Sequence, residues 1–570
     1  MDIQPIYWSE RQRLHDESRK MEQPFPFFNE QQKSRDSFWQ TAKKKNAWRV
    51  KAGKLVLYFE KKTGEASESD HLVITNVLAN ESFRQWRQLF TLLESCARYF
   101  LKSVCQFSFS QPLSSQMTEL FIQFGYQTVD TRTTQWVKNV SGKSAVVFGG
   151  GGAHGAYQIG VWKALQEAGF SIEIITGTSV GAINGVLMLQ GDLDQAEFLW
   201  TNLSTNQILA VPENVPLTDL RQQLLTDIRR MTKTAVLTRG ISSQPLEELL
   251  RKSLDLKSIV QKTKPQLFTV TTKIPEMIEK VVPIQKMPPE QIPEWIVASA
   301  SFYPAMAYKK IDKDRYIDGG YKNNLPVDVA IEQGATEAFV VDVQGPGITK
   351  RVKKPLGFVE WRCRSLWTLG TFLIFDGQRN SMNLQLGYLE TKKQLHQYEG
   401  HWYTFDSTVL AEKIWKKFLR TLAKEKNLEL SFFYDVKFWE NLRNVYKDRV
   451  VIETCGLAML ELLAKQMYLL PNKVYQVPEM ITLIREKEQR PFTEIVTNEI
   501  GLLSMEEWWS SSREQRLEQK LTELAKELYA STKEKVQTLL KEQPLNTLFV
   551  LYAHYLKEEQ EWHKNFPMKS

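Results

Sequence analysis

Between Ser144 and Leu189 the chain runs twice through one succession: an apolar stretch, a glycine turn, then residues at helical spacing. Ser144-Ala-Val-Val-Phe148 enters Gly149-Gly-Gly-Gly-Ala-His-Gly155, and Ala156–Ala168 follows with helical period and stops at Gly169. Ile172-Glu-Ile-Ile-Thr176 enters Gly177-Thr-Ser179-Val-Gly181, and Val180–Leu189 follows as a second helix. Short apolar runs read as buried strands. The expectation is a mainly parallel sheet with helices on both sides. In such sheets sites form beyond the carboxyl ends of the strands, where both glycine turns fall.

Each turn suits a chemistry. A glycine loop at a helix N-terminus presents oriented N–H groups and the positive end of the helix dipole, which fits a phosphate or the oxyanion of acyl transfer. A dinucleotide loop would want an acidic residue about 20 positions on, closing the next strand; Glu173 opens its strand instead. Gly177–Gly181 is a GxSxG turn between strand and helix, which puts Ser179 at a helix N-terminus as a candidate nucleophile. By itself GxSxG arises by chance in about one chain in five of this length. Further on, Arg315-Tyr-Ile-Asp318-Gly-Gly320 frees a carboxylate at a strand end, although Asp-Gly is also an ordinary hairpin turn.

The three elements in this order resemble the patatin-like phospholipase family. The resemblance covers about residues 144–331 and stands on Gly150–Gly155, Gly177–Gly181 and Asp318–Gly320. Supporting words are Ala298-Ser-Ala-Ser-Phe-Tyr-Pro304, Asn323-Asn-Leu-Pro326 and Leu386-Gly-Tyr-Leu389. It implies a three-layer α/β/α fold and a lipid acyl hydrolase of phospholipase A or lysophospholipase type. Ser179 would be the nucleophile, Asp318 its base, and the amides of Gly151 and Gly152 the oxyanion hole. Gly150, Gly155, Gly177, Gly181, Gly319 and Gly320 would shape the turns. No metal or cofactor is called for, and the substrate would be a phospholipid or other acyl-ester lipid. Where many members carry Arg, this chain has His154, which can meet a lipid phosphate only while protonated.

Two rivals stay open. An α/β-hydrolase triad needs Ser, then Asp or Glu, then His, and Asp318 or Asp342 with His396 or His401 satisfies that order. A membrane-associated regulatory module could keep the fold without turnover.

The rest of the chain frames this segment. With 74 Lys and Arg against 66 Asp and Glu, the net charge of +8 is mild for 570 residues. It suits peripheral contact with an anionic membrane and gives no case for nucleic acid. Cys96, Cys105, Cys363 and Cys455 form no CxxC pair, which fits a reducing compartment and excludes a cysteine zinc motif. The polar N-terminus and the shortness of Trp367–Phe375 predict a cytoplasmic protein, peripheral at a membrane. Nothing names a protein partner.

The reading divides the chain into an accessory α/β domain at 1–140, the catalytic domain at 141–345 and a mainly helical domain at 346–570. Within the first, the opening 40 or so residues read as a loose polar arm. Strands are expected at Leu55–Phe59, His71–Val77, Ser103–Ser108 and Gln135–Val140, with helices at Phe83–Leu101 and Ser115–Phe124. That order resembles the second half of an N-acetyltransferase domain. The stretch Asn80–Leu89 lacks the glycines with which that family approaches a pyrophosphate, so the resemblance implies a non-catalytic scaffold; an unrelated accessory domain accounts for the pattern as well. The basic turn Lys350-Arg-Val-Lys-Lys354 is a solvated loop or a headgroup contact, and Trp367–Phe375 is core or interface. The last seventy residues, rich in Glu, Lys, Leu and Gln, predict a long amphipathic helix.

Overall fold

The computed structural model describes residues 1–62, 70–80, 85–208, 242–487 and 532–557, with Leu524, Glu527 and Leu528. It resolves into two units, Met1–Ser365 with Thr371–Leu395, and Leu366–Gly370 with His396–Ser570.

The larger unit holds two sheets. In the first, β1 (Asp2–Pro5), β3 (Ala47–Ala52), β4 (Leu55–Lys61), β5 (His71–Asn80), β6 (Val104–Ser108), β8 (Gln135–Asn139) and β7 (Gln127–Thr128) lie in that order, and β2 (Met21–Glu22) pairs with β5. Strand alternation gives it two cores. Leu55, Leu57 and Phe59 face helices α2 (Trp86–Tyr99) and α3 (Ser115–Gln123), whereas Val56 and Tyr58 face α1 (Gln31–Lys43) with Phe38 and Trp39.

The opening residues are therefore not a loose arm. Ile6, Phe25, Phe27, Phe38 and Trp39 are all buried, although their irregular spacing gives no helical or strand period to read in advance. Parallel pairing of β5 with β6 stops at Ile74 and Phe107. Beyond it β5 takes Met21 and Glu22 as neighbours, and the chain's own Phe25 and Phe27 fill the gap. Phe25 packs 5.1 Å from Phe107 and 5.5 Å from Phe90, and Phe27 stacks 4.6 Å from Phe109.

The second sheet has the order β13 (Lys309–Ile311), β14 (Asp314–Asp318), β11 (Gln266–Ile274), β10 (Ile174–Thr178), β9 (Ser144–Phe148), β15 (Glu337–Val341) and β16 (Val359–Cys363), with β12 (Ile278–Pro283) off β11. From β11 to β16 neighbouring strands are parallel, and β12, β13 and β14 are antiparallel additions. This is the expected α/β fold with a mainly parallel centre. Strands β9, β10 and β15 are buried throughout, as continuous apolar runs require. Ala145, Val147, Ile174, Ala338 and Val340 pack on one face with Leu325, Val327 and Ala330.

The other face meets α4 (Gly155–Glu167) and α5 (Val180–Gln190); α6 (Leu193–Asn202), α7 (Gln244–Ser253) and α8 (Ile292–Ala300) complete the surround. Strand β16 and helix α9 (Gly377–Gln394) carry this unit beyond residue 345. Helix α9 crosses α4 so closely that a Cβ at Gly160 would strike the Leu384 carbonyl, and one at Gly387 the Tyr157 carbonyl. The two sheets are stapled through α2: Ser95 Oγ and Arg98 Nη2 both donate to the Gly357 carbonyl at 2.9 Å, and Arg98 pairs with Glu337 at 3.4 Å.

The smaller unit is mainly helical, with described helices at Val409–Arg420, Val436–Tyr446, Cys455–Gln466, Val477–Lys487, Lys533–Glu542 and Pro544–Lys557. The expected long C-terminal helix lies for the most part outside the described residues. Trp367 packs in this unit against Trp402 and Tyr403.

Candidate active site

Strand register dictates where the chemistry meets. In the parallel pair, Thr178 lies opposite Val270; in the antiparallel pair, Asp318 lies opposite Thr271. The residue after Thr178 and the last residue of β14 therefore flank β11 at one level, at the carboxyl edge of the parallel strands. Between them stands Gly319, where a Cβ would strike the Val270 carbonyl and approach Thr178 Cγ2 to 2.9 Å. Without a side chain there, the hydroxyl of Ser179 comes close enough to the carboxylate of Asp318 to favour its charged form, and both residues line one cavity.

Ser179 sits at φ +57°, ψ −125°, a conformation costly for a side-chain-bearing residue, on the order of 1–3 kcal/mol. Its neighbours make that turn possible. A Cβ at Gly177 would collide with the Gly181 carbonyl, and one at Gly181 with the Phe148 carbonyl. The turn is also tethered from outside the motif: the Ser179 N–H donates to Ser299 Oγ at 3.0 Å, and Ser299 Oγ donates to the Val270 carbonyl at 2.6 Å. Ser299 is fully buried.

Asp318 is 3% exposed. Its N–H donates to the Ser301 carbonyl at 2.8 Å, and its Oδ1 accepts the Gly320 N–H at 2.7 Å. Burial pushes its carboxyl up to about 6, against the downward pull of the Ser179 hydroxyl and the Gly320 N–H.

The glycine loop follows β9. Its outer amides are occupied: Gly149 N–H donates to Val341 O at 3.0 Å, Gly150 to Asn324 O at 3.0 Å, Ala153 to Phe372 O at 2.7 Å and His154 to Gly151 O at 3.2 Å. Among the described residues, the N–H groups of Gly151 and Gly152 have no protein acceptor. Gly150 packs beneath Ser179, where a Cβ would come within 3.1 Å of Ser179 Cβ, and Gly155 starts α4 against Val180 and Trp200. Asn324 braces the loop, its Nδ2 donating to the carbonyls of Gly150 and Gly345 at 3.3 Å each.

Ser179, Asp318, Gly151 and Gly152 together open on a cavity of about 90 Å³, whose walls include Val180, Ile183, Leu187, Leu199, Trp200, Leu250, Phe302, Met306, Phe372 and Phe375. The walls are overwhelmingly hydrocarbon, with Ser179, Asp318, Asn324 and Ser253 as the polar side chains among them, an arrangement suited to an ester with an apolar acyl chain.

The structure thus brings together all the predicted turn residues, but not His154. That ring is buried off the cavity lining, with Nδ1 donating to the Val343 carbonyl at 2.9 Å. The bond follows from its place at the foot of α4, against the chain leaving β15. No histidine is among the described residues lining the cavity. Two of the four cations of the basic turn are paired from within: Lys350 with Asp328 at 2.8 Å and with Glu279, and Lys354 with Glu360 at 2.6 Å. Of Trp367–Phe375, the residues Phe372, Leu373 and Phe375 serve as cavity wall.

Ser299, Asn324, Phe302 and Phe372 had no role assigned from sequence. The first three lie in the supporting words Ala298–Pro304 and Asn323–Pro326, which was the available signal.

Residues 146–331 match the family profile described as patatin-like phospholipase. That segment is a patatin-like phospholipase domain. Neuropathy target esterase sws of Drosophila melanogaster is 30% identical over 218 residues, 37% of this chain and 14% of its own. A lysophospholipase of Aspergillus terreus is 57% identical over 51 residues, 9% of this chain and 3% of its own. The chain spans only 13–14% of the length of its longer-matching curated relatives. The crystal structure of VipD from Legionella pneumophila aligns over 75% of this chain and 93% of its own, at 12% identity and a TM-score of 0.28.

Proposed function

We propose that this chain is a serine lipid acyl hydrolase that cleaves carboxylic esters of phospholipids or lysophospholipids through a Ser179–Asp318 dyad. The observation that carries the reading is one convergence: Ser179, the buried carboxylate of Asp318 and the amides of Gly151 and Gly152, which have no acceptor among the described residues, all line one apolar cavity. The similarity of 146–331 to patatin-like phospholipases and the names of the matched esterase and lysophospholipase support the same class.

Ser179 Oγ attacks the ester carbonyl as Asp318 takes its proton. The tetrahedral oxyanion is held by the amides of Gly151 and Gly152. Collapse breaks the ester C–O bond, and the proton on Asp318 passes to the departing alcohol. Water, deprotonated by Asp318, then releases the fatty acid and restores Ser179. The Ser-Asp-His alternative lacks support at the cavity, since no described lining residue is a histidine.

Residues 1–140 serve in this reading as a scaffold, the catalytic domain runs from 141 through α9, and the helical remainder is a separate part. No described helix is long and apolar enough to cross a membrane. A cytoplasmic protein acting peripherally on bilayer lipid fits that observation and the mild positive charge.

The test is labelling by a fluorophosphonate alongside hydrolysis of a lysophospholipid. Both are expected in the wild type and absent in Ser179→Ala. Labelling that survives the substitution, or a wild type inert in both assays, sinks the proposal.

A further inference from the structure

The cavity has a length as well as a chemistry, and the length follows from α5. Val180, Ile183 and Leu187 stand at i, i+3 and i+7 on one face of that helix and all line the cavity. The helix begins at the nucleophile, so from Val180 to Leu187 the wall extends about 10 Å at roughly 1.5 Å per residue. Leu250 and Ser253, near the end of α7, line the far part. Trp200 forms a fixed side wall, its indole N–H held by Asn184 Oδ1 at 2.9 Å.

Behind Leu187 the helix ends in a polar knot. Gln190 Nε2 donates to the Ser253 carbonyl at 3.0 Å and to Gln195 Oε1 at 2.6 Å, and Gln190 Oε1 accepts the Asp255 N–H at 2.9 Å. Lys262 Nζ donates to the carbonyls of Leu189 at 2.8 Å and Gln190 at 2.7 Å. A hydrocarbon chain pushed past Leu187 would have to strip these bonds and leave their groups unpaired.

We propose that the cavity is a blind acyl tunnel with its floor at Leu187 and Leu250, and that it selects esters whose acyl chain fits between Ser179 and that floor. A zigzag chain of roughly 1.5 Å bonds spans the 10 Å with about eight carbons. The inference rests on the hydrolase reading, names medium-chain acyl esters as the preferred substrates and makes Leu187 and Leu250 specificity-determining.

The experiment is a series of p-nitrophenyl esters from four to sixteen carbons, dispersed in neutral detergent, with rates normalised to fluorophosphonate-titrated sites so that unfolded protein does not count. The wild type is expected to peak near eight carbons and to fall by about tenfold or more at sixteen. Leu187→Ala or Leu250→Ala moves the peak longer by two carbons or more, and Ile183→Trp, halfway along the wall, moves it shorter. A wild-type profile that is flat or still rising at sixteen carbons, or variant profiles that superimpose on it, overturns the proposal.

Fatty-acid binding to Ser179→Ala reads the tunnel without turnover. Affinity should rise about fourfold per methylene, the equivalent of about 0.8 kcal/mol, and level off near eight carbons. A continued rise overturns the tunnel. Levelling-off in a protein whose wild type hydrolyses and labels with nothing keeps the tunnel and rejects the hydrolase.

Discussion

In the N-terminal sheet β5 and β6 run parallel for four residue pairs and then part, and the opening between them holds Phe25 and Phe27 from the same chain. In the central sheet β9, β10 and β11 also run parallel, but beyond their carboxyl ends lies a cavity lined by Ser179, Asp318 and the Gly151 and Gly152 amides, which have no acceptor among the described residues. Both places are gaps at the end of a parallel pair, where backbone groups leave the ladder. One is closed by a ring cluster with full van der Waals contact. The other keeps a strained serine and a buried carboxylate, each of which costs folding energy. The contrast teaches where a fold concentrates stability and where it gives some up for chemistry.

The largest effect that tests this contrast is Asp318→Asn. Hydrolysis should fall by about a thousandfold or more, because the amide keeps the shape and loses the base. Phe25→Ala is its mirror image. It opens a cavity among Phe27, Phe90, Phe107 and Phe121 and should cost about 3–5 kcal/mol of stability, read by denaturant unfolding. Turnover per titrated active site should stay at the wild-type level. A Phe25 variant that kept its stability but lost turnover would break the comparison, since the plug would then be acting on the site.

The pH dependence sharpens the same point. Asp318 is raised from 3.8 to about 6, so between those values the folded protein holds more protons on this group than the unfolded chain does. Its contribution to stability is therefore present below 3.8 and lost as the pH rises through 6, by about 3 kcal/mol in all. Asp318→Asn should be more stable than wild type at pH 8 by up to that amount, with the difference gone near pH 4. Catalysis needs the ionised carboxylate, so hydrolysis should fall about tenfold per pH unit below 6. Equal unfolding midpoints at both pH values would show that the carboxylate is not buried as a charge.

These residues also mark what the sequence could reveal. The parallel centre was legible because β9 and β10 are unbroken apolar runs and each ends in glycines that only a turn requires. The meeting of Ser179 and Asp318 at one edge of the sheet was legible because both residues sit inside motifs. The N-terminal plug was not. Phe25 and Phe27 flank a proline in a polar stretch, and their partners come from α2, α3 and β6, so burial there is decided by tertiary contact and leaves no period behind. His154 shows the opposite failure, a motif position whose side chain turns to Val343 for reasons set by the exit of β15. The cavity walls, drawn from α5, α6, α7 and the segment at Phe372, are spread too widely along the chain for any local pattern to gather.

The smallest predicted effect isolates the tether beneath the nucleophile. Ser299 Oγ is the acceptor for the Ser179 N–H and has no contact with a substrate carbonyl in the proposed mechanism, so it is a positioning residue. Ser299→Ala removes that acceptor and leaves a buried N–H unpaired at a residue already held at φ +57°. The serine should then sample conformations that turn its hydroxyl away from Asp318. The expected result is a fall of about tenfold in kcat, worth about 1.4 kcal/mol, with KM unmoved because the acyl walls are intact. The rate of fluorophosphonate labelling should fall by the same factor, since both reactions need the same aligned hydroxyl. A rise in KM at constant kcat would instead mean that Ser299 shapes the cavity. Unchanged kinetics would mean that Gly177 and Gly181 alone hold the turn.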